Sequence, residues 1–338
     1  MMKKRHSLSF LLAGLVAVAV ILPSLLVILF SSGKEELAAG LPHQKAPKEV
    51  QEQPALDVAV FRSGTKKTET FPLEEYVAGV VAAEMPASFE KEALKAQALT
   101  ARTFIIKQMM SGSKVNGQAN VTDTVAHQVF KTKEELKQLW GKDFDWKSKK
   151  INEAVQETAG QVITYNGAPI TASFFSTSNG YTENSEDYWN EPLPYLKSVA
   201  SPWDESSPEY STKQTMPLAE FERKLGISVN GKEEAGTITG RTEGKRIASV
   251  KIGGKEFSGR EVREKLELPS SDFNWVLKSG EVIITTKGYG HGVGMSQYGA
   301  NGMAKEGKNY KQIIAHYYQQ TKIETAKNFV KETVTAKK

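Results

Sequence analysis

"VVAAEMPASFE", residues 80–90, sets one carboxylate, Glu84, in a run of valines and alanines immediately before a proline. Acidic side chains are usually exposed, and burying one costs free energy unless a partner compensates. Upstream, "PLEEYVAGVVAAE" from Pro72 predicts a helix with proline at its first turn. That helix ends near Met85, because the residue before Pro86 is driven out of the α region. Downstream, Ser88 can cap a second helix, "SFEKEALKAQALTARTFIIKQMM", with Glu90 and Glu92 in its first turn.

At the end of the first helix Glu84 meets the negative end of the macrodipole, among apolar neighbours. Both effects disfavour the ionised form and raise the pKa. A carboxyl protonated near neutrality can serve as a general acid. The plainer reading is a helix-end glutamate paired with a nearby Lys or Arg. At about 100° per residue, Ala93, Leu94, Ala98, Ala101, Phe104 and Ile105 form one apolar face of the second helix. Gln97 falls in the middle of that face and needs partners, either backbone groups or a cleft beside the "AEMP" turn. Lys95 and Arg102 share one edge of the face, where solvated charge is the simplest account.

Working outward, "LDVAVFR" at 56–62 alternates like a strand, and a charged stretch at 131–157 reads as a helix or helix pair. "GQVITYNGAPITASFFSTSNG" reads as a hairpin turning at Asn166-Gly167. Residues 182–212 are loop-rich. Residues 213–284 change character: a short helix, "PLAEFERKLG", then β-rich runs between glycine turns, closing on a helix. The glycines of "GYGHGVGMSQYGANG" let backbone pass close to something. The segment has neither a phosphate-loop ending nor a dinucleotide fingerprint. Tight packing explains the glycines, and a carbohydrate would equally suit His291, Ser296, Gln297 and Tyr298. The predicted fold is α+β: a mixed body from 55–212 and 285–325, a smaller inserted α/β segment at 213–284, and a flexible tail at 326–338.

The N-terminus is basic, "MMKKRHSLS", and residues 10–30 are apolar throughout. At about 1.5 Å per residue that run spans the ~30 Å hydrocarbon core. "SSGKEE" follows it in place of a small-residue cleavage site, so residues 1–31 are expected to be a cytoplasmic tip and a single uncleaved transmembrane helix. The positive flank stays in the cytoplasm, and a polar linker, 32–54, leads to an extracytoplasmic body.

The formal charge is +5, and Lys3, Lys4 and Arg5 supply three of it, leaving +2 for the remainder. That balance, without a basic stripe interleaved with aromatics, gives no support for nucleic acid as a partner. The absence of cysteine excludes disulfides, thiolate nucleophiles and Cys-based zinc sites. No histidine pair has a local metal-ligand spacing, so neither metal nor other cofactor is expected. Ser176 and Ser178 lie in "FFSTSNG" without a G-x-S-x-G elbow, which suits hydrogen-bonding hydroxyls.

Together "LEEYVAGVVAAEMPASFEKEALKAQALTARTF", "TDTVAHQVF", "ASFFSTSNGYTENSEDYW", "PYLKSV" and "GYGHGVGMSQYGANGMAKEGKNYKQIIAHYY" resemble the stage II sporulation protein D family of bacterial cell-wall proteins, which includes amidase enhancers. The segments run in family order across about residues 58–325. The resemblance implies a lytic transglycosylase acting on peptidoglycan, with Glu84 as the catalytic acid. It implies Lys95, Gln97 and Arg102 as candidates for lining a glycan groove. Ser176, Ser178, Tyr195, His291, Ser296, Gln297 and Tyr298 follow as further substrate-binding candidates. Some relatives carry a cysteine in the segment matching "AHQVF"; this chain has His127 there and no cysteine, so zinc is not expected. The implied setting is the sporulation septum during forespore engulfment, beside a membrane-anchored amidase that strips stem peptides and a multispanning membrane partner. The implied substrate is denuded glycan. A glycan-binding enhancer of an amidase, without catalysis, is the alternative, and a structural septal protein is a third reading.

Overall fold

The computed structural model describes residues 56–229 and 236–329. The expected transmembrane helix and linker lie outside the described residues, as does the tail beyond 329. Among the described residues no helix is long and apolar enough to cross a membrane.

The chain opens with the hairpin β1 (Asp57–Arg62) and β2 (Lys67–Pro72), then α1 (Leu73–Glu84), α2 (Lys91–Met110) and β3 (Val121–Thr122). The charged stretch is a helix pair, α3 (Lys133–Trp140) and α4 (Phe144–Glu157), followed by β4 (Gln161–Tyr165), β5 (Ala168–Pro169), β6 (Phe174–Phe175) and α5 (Ser185–Trp189). Then come β7 (Ser211–Pro217), α6 (Leu218–Leu225), β8 (Gly236–Arg241), β9 (Ile247–Ile252), β10 (Lys255–Ser258), α7 (Gly259–Leu266), β11 (Asp272–Lys278) and β12 (Glu281–Lys287). The chain closes with β13 (Met295–Ser296), α8 (Gln297–Lys305), α9 (Tyr310–Tyr317) and β14 (Lys322–Thr325). This is a mixed α+β architecture.

Local chemistry explains most of the boundaries. Met85 is extended (φ −131°, ψ 134°), as the following proline requires, and α1 stops at Glu84. The second helix starts later than its sequence predicts. Its N-cap is Glu90, which makes no side-chain cap, and Ser88 stays exposed and outside the helix. Thr132 and Glu135 form a reciprocal capping box that starts α3. The β4–β5 hairpin turns at Asn166 and Gly167, with φ +50° and +76°, the left-handed pair such a turn favours.

The main core gathers α1, α2, α4, β4, α8 and α9. At its centre α2 is buried on nearly every side, from Ala93 to Ile106, rather than along one apolar face. Ala326 and Phe329 are also buried in this core, so packing extends to Phe329, inside the segment expected to be a flexible tail. A second hydrophobic cluster holds Met216, Phe221, Ile247, Val250, Val262, Leu266, Phe273 and Ile284, all within residues 213–284. Its entry and exit strands, β7 and β12, pair antiparallel from Ser211↔Lys287 to Pro217↔Glu281. The segment therefore leaves and rejoins the rest of the chain along one ladder.

Candidate active site

Glu84 is the last residue of α1, and its side chain is half-buried. Strand β3 runs parallel to β1, with Val60 opposite Val121, and brings the loop after it onto the end of α1. There the Val129 N–H donates to Glu84 Oε1 at 2.8 Å. Burial holds the Glu84 carboxyl above its ordinary range, and the Val129 N–H partly offsets this. No second ionisable group is among the causes. Tyr76, two turns earlier in α1, is fully buried, and its phenol is raised first by burial and then by the nearby charge of Glu84. Tyr76 Oη donates to Gln128 Oε1 at 3.1 Å, while Gln128 Nε2 is buried without a hydrogen-bond partner among the described residues.

The last carbonyls of a helix need donors from elsewhere. Gln297, first residue of α8, donates from Nε2 to the Glu84 main-chain oxygen at 3.0 Å and approaches Gln97 Oε1 at 3.5 Å. Gln97 is fully buried, and its Nε2 has no partner among the described residues. Thus Glu84, Gln97 and Gln297, from three separate helices, meet at one point.

The positively charged candidates, Lys95 and Arg102, are engaged with protein groups. Arg102 is fully buried: its Nε and Nη2 take the two carboxylate oxygens of Glu74 at 2.9 and 2.6 Å, and Nη2 also reaches Val155 O. It ties α1 to α2 and α4, and is not the solvated edge charge its spacing suggests. Lys95 bridges Glu92 at 2.6 Å and Glu157 at 2.5 Å, with the Tyr310 ring below its ammonium. Tyr195 is buried and accepts from the Thr171 N–H at 3.0 Å.

Three of the hydroxyl candidates converge on or beside a residue the sequence did not single out. Asp204 is fully buried and accepts from Ser178 N and Oγ, Ser201 Oγ and Ser296 Oγ. Ser296 also caps α8, accepting from Gly299 N at 3.2 Å. Ser176 contributes its carbonyl, which accepts from the Tyr298 N–H at 3.1 Å. Tyr298 sets its ring edge-on to Phe89, with centroids 4.9 Å apart. These contacts tie the strand around 176–178 to the start of α8 and so help place Gln297.

His291 stands on the glycine-rich segment at a different place, among Phe175, Tyr188 and Trp189, with ring centroids 5.5 to 5.8 Å from its own. Its Nδ1 accepts from the Val293 N–H at 3.0 Å, and burial, helped by the Arg246 charge, pushes its pKa down to about 3. The neutral ring carries its proton on Nε2, which faces Ser173 Oγ at 3.4 Å. The glycines here serve close packing: at Gly294 (φ +83°) a Cβ would lie 2.0 Å from the Ser173 carbonyl oxygen.

His127, in the "AHQVF" segment, has its Nδ1 2.9 Å from Thr122 Oγ1. Among the described residues no cluster of three or more His, Asp or Glu side chains is placed to ligate a metal ion.

Sequence reasoning missed Val129, Tyr76, Gln128, Glu74 and Asp204. Tyr76 was open to inference, since it shares an apolar helix with Glu84. Val129 acts through its backbone and leaves no side-chain signal.

Comparison with known proteins identifies relatives of this chain. The family model "SpoIID: Stage II sporulation protein" matches residues 62–165, which include α1, α2 and the Val129 loop. The chain is 48% identical over 339 aligned positions to "Stage II sporulation protein D" of Bacillus subtilis (strain 168), covering 96% of this chain and 98% of that protein. It is 47% identical to the protein of the same name from Bacillus amyloliquefaciens, with 97% and 98% covered. It is 31% identical to the "Amidase enhancer" of Bacillus subtilis (strain 168) over 72% of this chain and 39% of that protein. With the helix-end glutamate held by these elements and near-full-length identity of this order, the chain belongs to the stage II sporulation protein D family.

Proposed function

We propose that this chain is a lytic transglycosylase that cleaves denuded peptidoglycan strands after N-acetylmuramic acid. The observation that carries the reading is the Glu84 carboxyl at the end of α1, half-buried and bound by the Val129 N–H, whose pKa burial raises with no second ionisable group among the causes. Hydrolytic glycosidases use two carboxyl groups, one of them to handle water or form a covalent intermediate. An intramolecular transfer needs only one. Protonated Glu84 gives its proton to the glycosidic oxygen as the C1–O bond breaks. The C6 hydroxyl of the same muramic acid then attacks C1, and its proton passes to the Glu84 carboxylate. The product carries a 1,6-anhydro ring, no water is consumed, and the acid is regenerated. Gln97 and Gln128, whose buried amide N–H groups have no partner among the described residues, are the candidate donors for the sugar's polar groups.

The proposed setting is the sporulation septum, with residues 1–31 as a single membrane anchor and the body outside the membrane. There a membrane-anchored amidase supplies stripped strands, and a multispanning membrane protein is the second partner. A non-catalytic enhancer of an amidase is the competing reading, favoured by the relative of that name. Digestion of denuded strands, read by mass spectrometry beside Glu84→Gln, tests the choice. Glu84-dependent 1,6-anhydro ends support the transglycosylase. Reducing ends point to hydrolysis, and intact strands that still bind point to the enhancer.

A further inference from the structure

Away from Glu84, a cavity of about 310 Å³ is lined by Glu183, Tyr188, Thr242, Arg246, Arg260 and His291, among others. Arg246 is 1% exposed and immediately precedes β9, in the 213–284 segment. Its Nη1 reaches the Gly290 carbonyl at 3.4 Å. Its Nε and Nη2 have no hydrogen-bond partner among the described residues. Glu183 is the nearest carboxylate, and at 3.7 Å from Nε it is beyond hydrogen-bonding distance. Glu183 is itself engaged by Thr242 Oγ1 at 2.9 Å. A guanidinium stays charged at any working pH, and a buried charge left without aligned acceptors is costly.

The same chain displays what such an edge takes. In Arg102 the side-on pair Nε and Nη2 receives both oxygens of the Glu74 carboxylate. In Arg246 that pair of donors is unmatched. Gly292 lies over the flat face of this guanidinium: a Cβ there would sit 2.5 to 2.7 Å from Nε, Cζ and Nη2. Its φ of +92° also favours glycine. The other charged groups of the cavity are largely matched. Glu186 pairs with Lys197, Arg260 with Glu264, and Asp187 accepts from Asn184 at 3.0 Å. Burial pushes Glu183 up to about 7, so near neutrality it is in good part a neutral donor rather than a repelling charge.

We propose that this cavity is a carboxylate subsite in which the Nε–Nη2 edge of Arg246 takes both oxygens of a substrate carboxylate, with Tyr188 and His291 walling the carrier. Resting on the transglycosylase reading, the carboxylate is the free lactyl group of muramic acid. That group is ionised on a denuded strand and is an amide wherever a stem peptide remains. An amide offers one acceptor and no charge, so Arg246 distinguishes stripped from unstripped glycan.

The test measures binding of glycan strands to the full-length Glu84→Gln protein, which removes cleavage from the readout. Three probes are compared: denuded strands, the same strands with lactyl carboxylates converted to methylamides, and free stem peptide. Denuded strands are expected to bind at least tenfold more tightly than amidated ones. Arg246→Gln in that protein should erase the difference, and Arg246→Lys should restore part of it. Equal binding of free and amidated strands by the protein with Arg246 intact overturns the subsite, whatever the variants do. So does binding of neither strand. Stem peptide bound in an Arg246-dependent way, with amidation of the strands having no effect, overturns the lactyl assignment. Anhydro ends formed by the unsubstituted protein are scored separately. Their absence with discrimination intact sinks the reaction and leaves the subsite, and their presence without discrimination does the reverse.

Discussion

Gln297 and Glu84, 213 residues apart, are joined by a hydrogen bond of 3.0 Å from the Gln297 amide to the Glu84 carbonyl. The bond closes the C-terminus of α1 with the first side chain of α8. The Glu84 carboxyl and the main chain that carries it are thereby fixed by different parts of the fold: Val129 holds the side chain and Gln297 the backbone. Gln297→Ala leaves that carbonyl without its donor, at a cost of about 1–3 kcal/mol. Urea unfolding should register this loss. Formation of anhydro ends should fall by on the order of tenfold to a hundredfold as Glu84 loses its placement.

Glu84 sets opposite demands on stability and activity. Its folded pKa lies above the unfolded value, so the folded state holds the extra proton between the two. Stability from this group therefore falls as pH rises through the folded pKa, and so does the protonated fraction that the proposed reaction requires. Glu84→Gln, which keeps the shape without the charge, should raise the melting temperature near neutrality while abolishing cleavage. Thermal scans from pH 5 to 8 of both proteins should converge at the acidic end; a variant less stable than its parent at pH 7 would refute this account.

His291 works in the other direction. Its folded pKa, about 3, is below the ordinary histidine value, so the unfolded chain binds the extra proton between roughly pH 3 and 6.5. Stability from this residue is present above the unfolded pKa and is lost as pH falls below it, by on the order of 1–2 kcal/mol at pH 5. Replacement by glutamine should flatten that acidic decline in a urea titration.

Arg102 is expected to act on stability and not on glycan contact. Arg102→Met strands the Glu74 carboxylate in a partly buried place and should cost about 3–5 kcal/mol. Removing Glu74 as well should recover part of that loss. Glycan affinity per folded molecule should stay within about twofold, measured under conditions where the variant remains folded; a large loss would return Arg102 to the groove.

Asp204 accepts from three hydroxyls and a backbone N–H. Asp204→Asn replaces one acceptor oxygen by a donor that faces other donors, so it should destabilise by about 3 kcal/mol or more. Because Ser296 caps α8, anhydro-end formation should fall with it through Gln297.

What the sequence determined by itself is what neighbouring residues decide. Pro86 ends α1 through a clash with the residue before it, Asn166-Gly167 turns the hairpin through left-handed backbone, and "AEMP" marked Glu84 as an acid in an apolar place. The motifs sufficed for the family. Tertiary structure decided which polar residues face each other. Lys95 and Arg102 look alike on a helical wheel, yet one is held at a rim by Glu92 and Glu157 and the other is sealed against Glu74. Ser178 and Ser296 look like ligand-binding hydroxyls, yet they converge on Asp204. Such pairings join residues far apart in the chain and leave no local steric signature. A buried polar side chain reads the same in sequence whether its partner is another part of the protein or a sugar.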